Sequence, residues 1–500
     1  MADPTFRRPE LDAVTDDLTL VADLLGGTRQ MHTKAATYIR QWTAEENAVY
    51  AIRSTCETVF EGLGRTLNAG IGMLYAKAPT IDWRTSETAI SPHWDNLDAA
   101  GTKGTVLVKR FSESATRDGL ALILVDHPPA PADTVVTAAN EVALGLRPTW
   151  ALYDRAQAIN WRTAVVNNQR VLTLLVLSEC AEAEDGEFGI VSRQRYRVLR
   201  LVDGIGTWTL YEEQQQEGTK AIVYVIVGEG VFKNRKGQIA TFLPVAIGYT
   251  GRTKAPMTAT IPLLGVAWAN LSHWRKSTEI QFYEMMCGFP QPTVIGDFAE
   301  DTKTGARPTT VPIGPLVAIH LRAEDGADYR WTELQGTSLE QLKSTRQEKL
   351  EQMGKLGLAF LITESRVAET ARAKEIESAG ENSTLATAAQ GIEDAVNMAL
   401  EFHAWFLGIE KAGAPTIAIN RDFQSTVLDA PTMLAYVAAF RDAGFPVRLV
   451  LEAFQRGGRI PEDADLDEIE GEMIANEQAK AKQAAQEAQD ALAMQQDKAA

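Results

Sequence analysis

Apolar side chains recur at near-helical spacing through Leu264, Trp268, Leu271, Phe282 and Met286, and Gly288 ends the run. This pattern predicts one helix of about 25 residues. Residues 289–336 differ. Phe289-Pro290-Gln291-Pro292, Gly296, Gly305, Pro308, Pro312 and Gly314-Pro315 forbid a long helix, whereas Thr293-Val294-Ile295 and Leu316 to Leu321 read as short strands. Leu339, Leu342, Leu350, Met353 and Leu356 then mark a second apolar stripe over Ser338 to Gly357, with Glu351 and Lys355 spaced as an i,i+4 pair. At roughly 1.5 Å rise per residue this helix would span about 30 Å. A third helix, with Asn382 or Ser383 as N-cap and Gly408 at C′, carries Leu385, Ala389, Ile392, Val396, Leu400, His403 and Leu407 on one face. Long helices around a small insert leave Leu339, Leu342 and Met353 short of partners within one chain, which predicts association.

Elsewhere, 35–78 and 93–117 read as mainly helical, and Gly119 to Asp126 as a continuous apolar strand closed by Pro128-Pro129. From Trp150 to Gly251 the period becomes that of strands. Val171 to Cys180, Gln194 to Val202, Trp208 to Glu212, Ala221 to Val227 and Phe242 to Ile247 are separated by Gly-containing turns. The fold class expected is α+β. Pro415 to Asn420 alternates like a strand expected to rejoin that sheet; Pro431 to Phe440 and Val447 to Arg456 read as a helix pair, and the tail from Ile474 is rich in helix formers.

With element order goes a set of local strings: Tyr50-Ala51-Ile52-Arg53, Gly70 to Pro79, Leu97-Asp98-Ala99-Ala100-Gly101, Asp118 to Pro129, Asn160-Trp161-Arg162 and Glu364 to Thr387. Together, over roughly residues 35–455, the chain resembles the portal proteins of tailed double-stranded DNA bacteriophages. The resemblance implies a wing at 1–258, a first stem helix at 259–288, a clip at 289–336, a second stem helix at 337–357, and a tunnel-loop region at 358–382. A long helix with a returning wing strand follows at 383–425, then a helical crown and tail at 426–500. It further implies a ring, a dodecamer, at the unique capsid vertex, serving as the channel for genome packaging and ejection. Implied partners are further copies of the chain, duplex DNA passing without sequence specificity, the large subunit of terminase, a head-completion adaptor, and the major capsid and scaffold proteins. No membrane is implied. The location would be the virion's portal vertex, with synthesis in the host cytoplasm. In this scheme Arg366, Arg372 and Lys374 lie in the tunnel loop, where sparse cations can touch phosphates in passing; they also read as solvated partners of Glu364, Glu369 and Glu375. Lys303, Arg307, Arg322 and Arg330 lie in the clip, placed to meet terminase and later the adaptor.

Charge fits this picture without requiring it. Lys and Arg number 49 against 66 Asp and Glu, a formal net charge of −17. Such a chain is poorly suited to tight phosphate binding, but acidic walls would let a duplex slide; acidity also simply keeps proteins soluble. Cys56, Cys180 and Cys287 are scattered among apolar residues and read as buried thiols rather than a disulfide framework or zinc site. No secretory leader is apparent in Met1 to Asp17, and no run approaches 18 apolar residues.

Motifs for chemistry are missing. The six histidines (positions 32, 93, 127, 273, 320 and 403) never form HxxxH, and neither a phosphate loop nor a GxSxG elbow occurs. His403 reads as a core or interface histidine. Glu462 to Glu470 begins like a calcium loop but has Glu468 where Gly is needed and Ile474 where a bidentate Glu is needed. It reads as a solvated helix face or as an acidic crown rim. The expectation is a non-enzymatic protein without cofactor or metal. The alternatives are another minor head protein of a phage, or a metal-dependent nuclease built on scattered carboxylates such as Asp118 and Asp126.

Overall fold

The computed structural model describes residues 3–128, 144–166, 168–216, 221–288, 291–295, 328–332, 337–361, 371–421, 447–456, 460, 464–473 and 475. The chain divides into two compact units, Met1–Arg421 and Asp422–Ala500, and both helices and sheets build it, an α+β fold.

The chain opens with α1 (Pro9–Leu25), α2 (Gly27–Thr33), α3 (Ala35–Tyr38), α4 (Asn47–Thr55) and α5 (Gly62–Leu74). Helix α1 is not expected from the charged, proline-containing start of the chain. Proline at the first helical position has the φ a helix needs, Glu10 and Asp12 favour the positive end of the dipole, and Leu11, Leu18, Val21 and Leu24 are buried. Next come β1 (Thr80–Asp82), α6 (Glu87–Trp94), α7 (Gly104–Asp118), β2 (Leu120–Asp126) and β3 (Thr149–Asp154). The apolar run of β2 is the middle strand of a three-stranded antiparallel sheet, between β3 and β9 (Val245–Tyr249). A strand buried along its length needs no polar alternation, hence the continuous run.

A second sheet is an antiparallel meander of β4 (Ala158–Val166), β5 (Gln169–Asp185), β6 (Gly189–Val202), β7 (Ile205–Gln215) and β8 (Ile222–Val231), paired in chain order. A small hairpin, β10 (Thr253–Ala255) with β11 (Thr258–Ala259), leads into α8 (Leu264–Gly288). Then follow β12 (Gln291–Ile295), β13 (Asp328–Thr332), α9 (Thr337–Leu361), α10 (Ala371–Phe406) and β14 (Thr416–Ala418). The 25 residues of α8 agree with the length read from the pattern. Its buried face does not. Leu271 is buried together with Val266, Ala267, Trp274 and Ile280, whereas Trp268 and Met286 are 47% and 44% exposed. The inner face also takes Asn270, whose side chain accepts from the Leu63 amide at 2.9 Å and donates to the Phe60 carbonyl at 2.9 Å. Asn270 thus takes a place on the inner face by bonding the backbone at the start of α5.

Helix α10 differs more. It starts at Ala371, a full eleven residues ahead of the Asn382 cap, because Asn382 and Ser383 cost a helix interior only tenths of a kcal/mol and its long apolar face outweighs them. Leu385, Ala389, Ile392, Val396, Leu400 and His403 are all buried, as their spacing predicts. Gly408 has φ +73°, the left-handed conformation that ends a helix at C′, and the Ile409 amide returns to the Ala404 carbonyl at 2.9 Å. Strand β14 falls within Pro415 to Asn420 but pairs with β1 in a separate two-stranded sheet, not with the larger ones. Asn397 on α10 holds it there, donating to the Ile417 carbonyl and accepting from its amide.

Cys56 is half-buried and Cys180 exposed, so the expectation of buried thiols fails for Cys180, which lies on a part of β5 beyond the sheet core. The side chain of Cys287 lies outside the described residues.

In the second unit, α11 (Val447–Arg456) has the bounds read from the sequence. Leu451 and Leu466 are buried, and Arg448 reaches Glu452, Asp467 and Glu470. Within the acidic cluster, therefore, two carboxylates have an arginine partner. Pro431 to Phe440, Glu462 and Asp463 lie outside the described residues, as does the tail apart from residue 475.

Candidate functional site

The segment that the sequence singles out forms a helical hairpin. Helices α8 and α9 run antiparallel: Lys343 meets Glu284 at 3.2 Å near one end, while Leu356 lies beside Gly265 near the other. Strands β12 and β13 pair antiparallel at the head of this hairpin, from Gln291 opposite Thr332 to Ile295 opposite Asp328. The ends of the insert are thereby brought together. Thr293 to Ile295 were expected as strand; β13 was not, since Asp328-Tyr329-Arg330 hides a two-residue period behind charges. Leu316 to Leu321 lie outside the described residues.

Of the cations expected in the insert, Arg330 is placed on β13, exposed and 3.7 Å from Asp328. Lys303, Arg307 and Arg322 lie outside the described residues. So does Arg366. Arg372 and Lys374 were expected in a loop, but both fall in the first turn of α10. Helix α9 runs to Leu361 and α10 starts at Ala371, so both helices reach into the 358–382 region; residues 362–370 lie outside the described residues.

Apolar side chains that face outward are Trp268, Met285 and Met286 on α8, Leu356 on α9 and Met398 on α10, each between 39% and 47% exposed. Leu339 and Leu342 are half-buried. Met353, expected to lack partners, is instead 3% exposed and lies against Gly62 of α5, where a β-carbon would come within 2.3 Å of its sulfur. The outward apolar positions are a signal that sequence alone does not separate from the core stripe.

Behind the helices, α10 carries a buried polar chain. The Trp150 indole donates to Nδ1 of His403 at 3.3 Å, and Nε2 of His403 lies 3.0 Å from Nδ1 of His93 on α6. An indole can only donate, so His403 Nδ1 must hold a lone pair, and neutral His403 then donates from Nε2 to His93. Burial holds the His403 pKa well below its usual 6.5, and the charges of His93, Arg147 and His127 push it the same way. Burial also lowers His93, with Arg147 adding to the effect. In an unfolded chain both rings take a proton as pH falls through about 6.5, whereas the folded ones resist. Stability should therefore be complete above that pH and decline below it. Melting temperature should fall between about pH 7 and about pH 5.5, and His403→Gln, which keeps a donor and an acceptor, should flatten that fall. Equal slopes in the two proteins would show that the pair does not titrate on unfolding.

Asp118 is the last residue of α7 and Asp126 the last of β2, so the length of that strand, about 20 Å, lies between them, too far to share a metal. Asp118 bonds Arg117 at 2.6 Å and Asp126 meets Arg197 at 3.2 Å. Burial raises both carboxyl pKa values while these arginines oppose it. Among the described residues no group of three or more His, Cys, Asp or Glu is placed to hold a metal, and no helix is long and apolar enough to cross a membrane. One further feature not singled out from the sequence is the exposed apolar tip of the β5–β6 hairpin, since the spacing of apolar residues does not tell which of them the fold leaves in solvent.

No curated protein matches the chain. Among solved structures it is similar, at 11% identity and TM-score 0.35, to a chain of the "Virion of native gene transfer agent (GTA) particle", with 84% of this chain and 98% of that one covered. It is likewise similar, at 11% identity and TM-score 0.36, to a chain of the "Neck of empty GTA particle computed with C6 symmetry", with 86% and 98% covered. By sequence family, residues 262–407 match a "Domain of unknown function (DUF4055)", a span that opens two residues before α8 and closes one residue after α10.

Proposed function

We propose that the chain is the portal subunit of a tailed double-stranded DNA phage, a ring-forming, non-enzymatic conduit for the genome. The observation that carries this reading is the helical hairpin α8–α9 with a strand-paired insert at its head, with the 36-residue α10 as the next described helix. This is the order of stem, clip, stem and long helix in the family that the sequence resembles. Outward Trp268, Met286 and Leu356 supply apolar contacts of the kind a neighbouring copy would cover.

Function would then be mechanical and electrostatic. Twelve copies, each with a net charge of −17, would surround the duplex with like charge, so that DNA slides instead of adhering. Arg366, Arg372 and Lys374 would touch phosphates in passing. The insert, with Arg330 on its exposed face, would dock the terminase large subunit during packaging and a head-completion adaptor afterwards, while the first 258 residues would seat the ring among capsid and scaffold proteins. Energy for packaging would come from the motor, not from this chain.

Native mass spectrometry and negative-stain imaging of the purified chain test this directly: closed rings with a central hole are expected. A chain that stays monomeric at micromolar concentration would overturn the proposal.

A further inference from the structure

The longest hairpin of the five-stranded sheet outruns its neighbours. Strand β4 pairs with β5 no further than Leu177, and β7 pairs with β6 no further than Arg195, yet β5 and β6 stay paired out to Asp185 opposite Gly189. Six residue pairs, from Cys180 opposite Gln194 outward, therefore form a two-stranded arm about 20 Å long. Isolated two-stranded hairpins are marginal in water and gain stability when their side chains are covered. At the tip of this one Phe188 is 91% exposed and Ile190 69% exposed, and the surrounding charges are acidic: Glu182, Glu184, Asp185 and Glu187.

The same unit holds a surface of matching chemistry. A pocket of about 590 Å³ is lined by the apolar side chains of Leu146, Trp208, Phe232 and Phe406, with Lys233 and Arg235 against the single carboxylate of Glu229. That volume lies within the roughly 300–1,000 Å³ range of pockets that enclose drug-sized molecules, ample for one phenyl ring. The arm cannot fill its own pocket. Trp208 pairs with Leu199 on β6, and Phe188 lies eleven residues further along that line, about 37 Å away.

We propose that the arm tip of one copy inserts Phe188 into this pocket on the next copy, with the tip carboxylates facing Lys233 and Arg235. Tip and pocket are different surfaces, so the contact is head-to-tail, the kind that closes into a ring or extends into a filament. The inference rests on the ring reading above and assigns that ring one of its subunit contacts.

The test uses the full chain with the photoreactive p-benzoylphenylalanine at position 188, in rings assembled from a mixture of isotopically heavy and light copies. Heavy-to-light cross-links should map to the segments holding Leu146, Trp208 and Phe232. Separately, Phe188→Asp, whose circular-dichroism spectrum should match the parent because this side chain is solvent-exposed within one copy, should weaken assembly by about tenfold or more. Glu187→Lys should weaken it less, and Lys233→Glu should restore the Glu187→Lys variant. Rings whose cross-links fall elsewhere, or only within one copy, would overturn this contact and leave the ring standing. A parent chain that never leaves the monomeric state would overturn both.

Discussion

Replacing Gly391 by valine should strip the first unit of a large share of its stability. A β-carbon there would stand 1.8 Å from the Tyr249 carbonyl oxygen and 2.9 Å from its carbon. These are backbone atoms of β9, held by pairing with β2 from Leu120 opposite Tyr249 onward, so nothing can rotate out of the way. Helix α10 would have to lift from the sheet and part Ile392, Ala395 and Val396 from the core. Overpacking alone costs about 1–3 kcal/mol. With the helix displaced as well, the loss should reach about 4 kcal/mol, a large share of the roughly 5–15 kcal/mol that holds a domain. Gly72 on α5 provides the control, because a β-carbon there meets nothing within 4 Å; Gly72→Ala should be neutral or stabilising by up to about 1 kcal/mol. Urea unfolding decides the matter, and a Gly391→Val protein within about 1 kcal/mol of the parent would mean that α10 does not seat on β9 as described.

Arg53→Ala should be the second most damaging change. Its guanidinium donates to both Glu45 oxygens, at 2.7 and 2.8 Å, and to the Arg40 carbonyl at 2.8 Å, with the Trp42 ring 4.0 Å beneath it. Both charged side chains are only 2% exposed. Removing the arginine leaves Glu45 covered and without its ion-pair partner. Because Trp42 is itself 52% exposed, the cover is thin and solvent close, so the loss should sit near the lower end for buried pairs, about 3 kcal/mol. Glu45→Ala in that background should recover part of it, and the double-mutant cycle should show coupling. Hydrogen bonds from Arg53 hold the Glu45 carboxyl below its usual 4.5, so the contribution of the pair is full above that pH and is lost as pH falls beneath it. Strictly additive single-mutant costs would show that the two charges do not support each other.

Both residues show where reading a sequence stops. Gly391 sits inside a helical pattern and looks like a mild defect, since the strand that demands it lies more than 140 positions away. Arg53 and Glu45 are eight apart in sequence, and only the fold of Trp42 over them turns an ordinary surface pair into a covered one. The same limit applies to α8: Trp268 and Met286 share the hydrophobic period of Leu271, and nothing in that period tells an inward face from one left for a neighbour.

What the sequence determined by itself is local and periodic. Helix α8, the buried face of α10, the glycine ending at Gly408, the strands of the meander and α11 all follow from hydrophobic spacing and from residues with restricted backbone freedom, properties that act over a few residues. Tertiary structure decided the rest. It extended α10 through Asn382 and Ser383, drew Arg372 and Lys374 into its first turn, and gave β14 to β1. It also buried Met353 against Gly62, exposed Cys180 and joined His403 to His93 across 310 positions. Each of these depends on which distant surface arrives, and the free energy of burying or hydrogen-bonding against that surface exceeds the tenths of a kcal/mol by which local propensity separates the alternatives.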